Sequence, residues 1–564
     1  MNILGLSYMY HDSAAALLVD GEVKAAAAEE RFARIKHTVD FPSRAIERVL
    51  ADGDIGIHDL DAIVFYEKPF LKFERILRSH LMTFPRSWPS FRRFLPMWLN
   101  YKLRVPQIIR DETGYEGKVY FTDHHYAHAA SAFMPSPFER AMILTADGTG
   151  EWSTLAMGTG EGNKIHLDRD VRFPHSLGLL YSAVTAHLGF KVNGGEGKVM
   201  GLASYGKPRF REAFRKLITI FDDGSFQLNL KYFSFHYDLV MTNKAFADLL
   251  IPIREPESRI GPEHEDLAAT LQAVVEEALI KLVRFGHDTY GLKQLCVAGG
   301  VGLNCVANGK LLTETPITDI FVQPASGDDG GALGAALYLW SQRFDGPRNW
   351  RMDHAFLGPD YPDAEITRVL GAQGQTYRTL REPDLLDEVA RRIADGQIVG
   401  WYQGRMEYGP RSLGHRSILA DPRRADMKDV LNAKVKHREG FRPFAPAILA
   451  ERATEFFDTP ALSPFMLLAV PVRPEKHDVI PAVTHVDGTA RLQTVEEASN
   501  PRFYRLIKAF EAQTSVPVLI NTSFNLRGEP IVCTPQEAIA CFLRTKMDVL
   551  VLNDHIVVKE GAGV

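Results

Sequence analysis

Cysteine is scarce. Only Cys296, Cys305, Cys533 and Cys541 occur in 564 residues, and no two stand in a C-x-x-C spacing. They are too few to staple so long a chain and wrongly spaced for a thiolate clamp, so reduced thiols packed in the core are expected. Long hydrophobic runs are missing too. None reaches the ~18 residues needed to cross a bilayer, and Met1 to Tyr10 lacks the basic and apolar regions of a secretory signal, which predicts a cytoplasmic protein without membrane partners. Nor is there charge of one sign: 65 Lys and Arg stand against 70 Asp and Glu, for a net charge of -5. No protein-wide cationic field draws this chain to nucleic acid or anionic membrane, so any anion site must be local.

What is present is ordinary globular material, 45% hydrophobic and 24% charged, which excludes a disordered, collagen-like or disulfide-scaffold protein. The length is roughly four times a ~150-residue domain and predicts two or more packed units. The stretch ILGLSYMYHDSAAALLVDGEVKAAAAEE reads as strand, polar turn, strand, Asp-Gly turn and strand. MILTADGTGEWSTLAMGTGEGNKIHL, from Met142, repeats that order. The duplication predicts two similar lobes closing on a cleft that the polar turns face.

From Glu265 the spacing predicts an amphipathic helix, with Leu267, Leu271, Val274, Val275, Ala278, Leu279 and Leu282 on one stripe and Glu276, Glu277 and Lys281 opposite. QLCVAGGVGLNCVANGKLL and IFVQPASGDDGGALGAALYLW each read as strand, Gly-rich loop and helix, the pattern of a largely parallel sheet with ligands beyond the strand C-termini. A polar, Pro- and Gly-bearing stretch from Phe344 to Asp363 marks a boundary. Beyond it LLDEVARRIADGQ reads as helix, and IVGWYQG, MDVLVL and HIVVKE as strands. One segment departs from the average: Lys68, Lys72, Arg75, Arg78, Arg86, Arg92, Arg93, Lys102, Arg104 and Arg110 interleave with Phe, Trp and Tyr. It reads as an inserted helical subdomain with a solvated cationic face, or as a surface for nucleic acid or an anionic ligand.

Several groups could carry chemistry. In HHYAHAAS, with Asp123 available as N-cap, His124 and His128 are i and i+4 on a helix and project from one face, whereas His125 points elsewhere. Asp147 ends a strand at a Gly-rich turn, and Asp328, beside its competitor Asp329, precedes another. Two imidazoles with one or two carboxylates suit iron(II), manganese or zinc, though both aspartates could simply stabilise turns. AGGVGLN, with Gly299, Gly300 and Asn304, lies where backbone amides attract phosphate but is neither a GxGxxG nor a Walker A sequence, and Lys198 in EGKVMGLASYG could touch ribose or phosphate or belong to a flexible connector; these four are the candidate nucleotide contacts of the first domain, for an adenylate or another nucleotide. The second domain has Arg405, Arg411, Arg416, Lys434, Lys436, Arg438, Arg442 and Arg491. Such cations are what a triphosphate or acyl phosphate needs, and a solvated basic surface is the alternative.

HDSAAALLVDG, HHYAHAAS, DGTGE, EGKVMGLASYG, AGGVGLN, GPRSLGHRS, RPFAP and NTSFNLRGEP occur in that order over nearly the whole chain, which thereby resembles the NodU/CmcH family of O-carbamoyltransferases. The resemblance implies an α/β protein: a duplicated actin-like (ASKHA, RNase H-like) domain over residues 1–345 with the insertion at about 66–110, a linker at 346–363, and a YrdC-like domain over 364–564. It implies formation of carbamoyl adenylate from carbamoyl phosphate and ATP, with phosphate and pyrophosphate released, then transfer of the carbamoyl group to a hydroxyl of a small natural-product or sugar acceptor, as in antibiotic biosynthesis. Arg411, Lys436, Arg491, Ser523 and Asn525 match the family's phosphate- and adenylate-binding positions, and Arg442 joins them on chemistry alone. His124, His128, Asp147 and Asp328 match its metal ligands, with iron(II) the expected ion and magnesium the ion ATP could bring. His11 matches the position near the acceptor hydroxyl, where a neutral imidazole oriented by Asp12 could take the proton. Transfer of threonylcarbamoyl to tRNA and a non-enzymatic nucleotide- and metal-binding regulator stay open as alternatives. The acidic balance argues against nucleic acid, and a homo-oligomer is left open.

Overall fold

The structure is a computed structural model that describes residues 1–436 and 438–559. The chain separates into two compact units, Met1–Glu29 with His37–Met352 and Glu30–Lys36 with Asp353–Val564. The division falls where residues 344–362 form neither helix nor strand. No composition shift marks the excursion of Glu30–Lys36 into the second unit.

The first unit holds two five-stranded sheets. In one, β1 (Asn2–Ser7), β2 (Ala14–Val19), β3 (Glu22–Ala28), β4 (Ala62–Phe65) and β5 (Val119–Phe121) lie in the order β3-β2-β1-β4-β5. The other has β6 (Arg140–Ala146), β7 (Ser153–Glu161) and β8 (Lys164–Arg172) and, after a separate hairpin of β9 (Ile218–Ile220) and β10 (Phe226–Leu228), β11 (Gln294–Ala298) and β12 (Asp319–Val322). Its order is β12-β11-β6-β7-β8. Counted within each half, both sheets run third, second, first, fourth, fifth. In both, the first three strands pair antiparallel and the last two join in parallel. The duplication seen in sequence is thus a duplication of topology, the arrangement expected of an actin-like domain. Strands such as β2, AAALLV, read as unbroken apolar runs because nearly every residue is buried.

The helices His124–Phe133 and Asp328–Tyr338 follow β5 and β12, equivalent places in the two halves. They cross so closely that a Cβ on Gly334 would stand 1.8 Å from the carbonyl oxygen of Ala127. Gly334→Ala is therefore expected to destabilise the protein by about 1–3 kcal/mol through overpacking, read as a lower denaturant midpoint. Gly371→Ala, on a helix with nothing within 4 Å of the added methyl, should leave the midpoint unchanged or raise it.

The long helix Pro262–Tyr290 buries the expected leucine and valine stripe, but Glu276 is buried as well rather than solvated. Lys310 reaches its carboxylate at 2.6 Å, which removes the cost of an unpaired buried charge.

The second unit is a nine-stranded mixed sheet. Its strands are β13 (Arg378–Thr379), β14 (Val399–Tyr402), β15 (Arg416–Ala420), β16 (Ala445–Leu449), β17 (Leu468–Pro471), β18 (Thr489–Val495), β19 (Val518–Ser523), β20 (Val549–Leu552) and β21 (His555–Val558). They lie in the order β13-β21-β20-β14-β15-β19-β16-β18-β17. All four cysteines are buried and outside any disulfide. Among the described residues no helix is long and apolar enough to cross a membrane.

Candidate active site

Six strand ends supply the site of the first unit, three from each half. His11 and Asp12 follow β1 and Asp147 follows β6; Tyr66 and Glu67 follow β4 and Gly299 and Gly300 follow β11; His124 and Asp328 open the helices after β5 and β12. Each contribution therefore has a counterpart at the equivalent place in the other lobe.

His124, His128, Asp147 and Asp328 are all buried, and one ligand atom from each lies within 4.8 Å of the others. His124 Nε2 stands 3.1 Å from Asp147 Oδ2 and 3.7 Å from Asp328 Oδ1. His128 Nε2 lies 3.9 Å and 3.6 Å from the same two oxygens and 3.2 Å from His124 Nε2. Two imidazole nitrogens and two carboxylate oxygens thus converge on one point, and Asp328 Oδ1 is buried without a hydrogen-bond partner. A divalent transition ion fits this donor set, since it would neutralise both carboxylates and bind both neutral rings.

The surroundings hold the four groups still. Tyr66 donates to Asp328 Oδ2 at 3.0 Å, and the Gly300 amide donates to Asp147 Oδ1 at 2.9 Å. Such partners orient ligands before any ion arrives. Asp329 turns its carboxylate back to the Gly330 amide, so Asp328 is the aspartate brought to the imidazoles. Asp123 does not cap the helix; its side chain pairs with Lys68, and the His124 amide is bonded by Glu151 instead. His125 does point elsewhere, to Thr145 and the Ser153 carbonyl, and burial followed by the His124 and His128 charges pushes its pKa down to about 3. Sequence reading missed Tyr66 and Glu151; the only signal was that both sit in polar turns at strand ends.

His11 Nδ1 meets Asp12 Oδ2 at 3.0 Å, and His37 Nδ1 meets Asp12 Oδ1 at 2.7 Å. Burial alone would raise the Asp12 pKa, but the hydrogen bonds from the two imidazoles hold it well below the usual carboxylate range. His11 Nε2 faces Asp328 Oδ2 at 3.8 Å. Burial disfavours its cation, yet Asp328 and then Asp12 outweigh burial and push the His11 pKa up to about 10. A cation held by Asp328 would remove part of that pull and let the ring stand neutral, with Nδ1–H on Asp12.

The four residues expected to touch an adenylate behave differently. Gly299 sits at φ +91, and a Cβ there would stand 2.3 Å from the Ala146 carbonyl oxygen, so only glycine lets β11 turn back over β6. Gly300 gives its amide to Asp147 rather than to open space. Lys198, on the helix Glu196–Ala203, places its ammonium 5.4 Å from the Phe190 ring centre. Asn304 is engaged within the fold: its Oδ1 caps the helix Cys305–Glu314 at Ala307, and its amide pairs reciprocally with buried Gln272. An Asn just before a helix signals a cap as readily as a ligand contact.

In the second unit Lys436 Nζ donates to the Ser523 carbonyl, and lies 3.3 Å from Ser523 Oγ, 3.2 Å from the Asn525 carbonyl and 3.0 Å from Asn525 Oδ1. Burial, then Arg438, with Arg442 and Lys36 behind it, holds the Lys436 pKa well below the usual lysine value. Burial followed by Arg442 and Arg491 pushes Arg438 down to about 9. Arg442 is lowered by burial and, among its neighbours, by Arg491 and Arg527, while Glu439 opposes the shift. Arg411 reaches the cluster through Lys36, whose pKa falls through burial and then Arg31, Arg442 and Arg411 despite Glu30. Cations that disfavour one another's charge around a buried lysine have the chemistry to take up an anion.

The excursion of Glu30–Lys36 explains how Lys36 joins them. Arg31 donates to the Gly409 carbonyl at 2.8 Å, and Arg34 donates to the Ile531 and Pro530 carbonyls at 2.7 and 2.8 Å. Not every cation of the second domain belongs here. Arg405 is bonded to the Gly358 and Leu357 carbonyls. Fully buried Arg416 is bonded to the Gln403 carbonyl and stacked 3.6 Å over Tyr402, so both arginines hold the fold.

Residues 2–337 match the family described as Carbamoyltransferase N-terminus, and residues 390–559 match Carbamoyltransferase C-terminus. An uncharacterized protein of Synechocystis sp. is 46% identical over 594 residues, covering 99% of this chain and 97% of its own length. The nodulation protein NolNO of Sinorhizobium fredii is 40% identical over 567 residues, covering 98% of this chain and 79% of its own. The 3'-hydroxymethylcephem-O-carbamoyltransferase of Amycolatopsis lactamdurans is 38% identical over 273 residues, 48% of this chain and 50% of its own. With both halves matched and relatives aligned nearly end to end, the chain belongs to the carbamoyltransferase family and is an enzyme of that class.

Proposed function

We propose that this protein is an ATP-dependent O-carbamoyltransferase that makes carbamoyl adenylate in its second unit and transfers the carbamoyl group in its first to a hydroxyl of a small sugar-bearing or natural-product acceptor. The observation that carries the reading is buried Lys436 with half-buried Arg438 and Arg442 and exposed Lys36 near enough to disfavour its charge. Water acting on carbamoyl phosphate releases phosphate and leaves carbamate. A carbamate oxygen then attacks the α-phosphorus of ATP, and pyrophosphate leaves. Fixed cations stabilise the charge gathering on the departing phosphates without having to reorganise. Lys436 is held on Ser523 and Asn525, with Arg411, Arg442 and Arg491 the further phosphate contacts.

In the first unit His124, His128, Asp147 and Asp328 would hold the ion, for which iron(II) is our assignment, and a bound cation would polarise carbonyl or phosphate oxygens of the adenylate. The acceptor oxygen attacks the carbamoyl carbon, AMP leaves, and His11 Nε2 receives the acceptor's proton while Asp12 fixes the ring. Purified protein given carbamoyl phosphate, ATP and magnesium should release pyrophosphate and, with hydroxylamine present, yield hydroxyurea. Nucleotide binding with neither product would refute the reading.

A second measurement tests the anion site itself. Because the Lys436 pKa is lowered in the anion-free cluster, a bound dianion must raise it. Carbamoyl phosphate should therefore bind with net proton uptake at a pH where Lys436 is partly neutral in the anion-free protein, and more weakly as pH rises. Calorimetry in buffers of differing ionisation enthalpy reads the uptake, and identical heats in all of them would contradict it.

A further inference from the structure

Nothing in the reaction uses the insertion between β4 and β5. Its helices Pro69–Met82 and Trp88–Asn100 form a hairpin. The hairpin is anchored on one side. Trp98 is buried, Lys72 and Lys102 clamp the Tyr10 ring at 3.5 and 3.6 Å from its centre, and beside the turn Ser90 donates to the Tyr237 carbonyl at 2.6 Å. The bulky side chains about the turn are nonetheless exposed. Leu81 is 64% exposed, Met82 86%, Phe84 66% and Trp88 50%, and Met97 and Leu99 are exposed near the end of the second helix. The Phe84 and Trp88 rings lie edge to face, 6.5 Å apart. An ordered, anchored element that leaves this many bulky apolar groups in water has an occupant for them.

Charge identifies the occupant. No Asp or Glu occurs between Glu74 and Asp111, and Arg86, Arg92 and Arg93 are exposed around the turn. A two-fold contact between copies would set these arginines against themselves. Nucleic acid would meet the arginines but gain little from Leu81, Met82, Met97 and Leu99, which have no flat face for a base. An anionic bilayer surface answers both features at once, taking Trp, Phe, Leu and Met below the headgroups and arginine at them.

We propose that this hairpin docks the protein on an anionic lipid bilayer. The net charge of -5 conceals it, because the excess acid lies elsewhere in the chain. The proposal is independent of the carbamoyl chemistry.

The test is flotation of the full-length protein with vesicles of phosphatidylcholine alone or with roughly 30% phosphatidylglycerol, where at least about tenfold more protein should float with the anionic vesicles. Leu81→Asp with Met82→Asp should lower that binding about tenfold, and Arg92→Glu with Arg93→Glu should remove the preference for phosphatidylglycerol, both at an unchanged thermal midpoint. Brominated acyl chains should quench part of the tryptophan emission, and Trp88→Ala should remove that part. Three results overturn the proposal: no flotation with either vesicle, equal flotation of wild type and variants, or a tRNA complex or dimer that forms in place of vesicle binding and is lost in the same variants.

Discussion

Lys436→Ala is expected to stop pyrophosphate release, lowering its kcat/KM about 10²- to 10³-fold, the usual cost of removing one fixed donor from developing charge. The side chain is buried, and its ammonium meets Ser523 and Asn525 through four oxygen contacts. Its loss takes one donor from each of those acceptors and leaves the phosphate without its most enclosed cation. Lys436→Arg should not rescue, because a planar fork cannot replace a point charge in that cage. Arg411→Ala should share the direction. Unchanged pyrophosphate release in both alanine variants would remove the phosphate assignment, whereas an unchanged thermal midpoint with lost release would exclude simple unfolding.

The second large effect separates the two units. His124→Ala combined with His128→Ala should abolish carbamoyl transfer to an acceptor, a loss of about 4 kcal/mol or roughly a thousandfold. Pyrophosphate release, which we assign to the second unit, should persist. Metal content by plasma emission spectroscopy should fall from one ion per chain toward none, and the absorption bands of a cobalt(II)-loaded wild type should disappear. Retained stoichiometric metal in the double variant would contradict the four-residue centre even if activity fell. Loss of both partial reactions together would show instead that the ion serves the first step.

Much of this protein is legible in its sequence because the signals are local. The Asp-Gly turns and apolar runs that begin each half give its first three strands in order, and the repeat predicts two equivalent sheets. The spacing of His124 and His128 puts both rings on one helical face, and the structure does place their Nε2 atoms 3.2 Å apart. The amphipathic stripe from Leu267 to Leu282 is where periodicity puts it.

Other features depend on which neighbour wins a competition. Asp123 and Glu151 both suit a helix start, and Lys68 decides by taking Asp123. Asp328 and Asp329 are chemically alike, but the helix that begins there directs one toward the imidazoles and returns the other to its own backbone. Asn304 has the right chemistry for a ligand and is consumed by Gln272 and Ala307, while Arg405 and Arg416 hold carbonyls instead of phosphate. A cation list in one dimension cannot make these distinctions.

The sequence by itself determined the duplicated strand order, the paired histidines and the family, because hydrophobic period, turn residues and motif order are properties of neighbouring residues. Only the tertiary structure decided which carboxylate reaches the histidines, which cations stand near Lys436, and that Lys36 joins the second unit although it lies more than 300 residues before it. It alone left the hairpin of residues 69–100 apolar in water. Those outcomes depend on where the chain returns in space, and burial and Coulomb interactions between distant segments choose among groups that look equivalent along the chain.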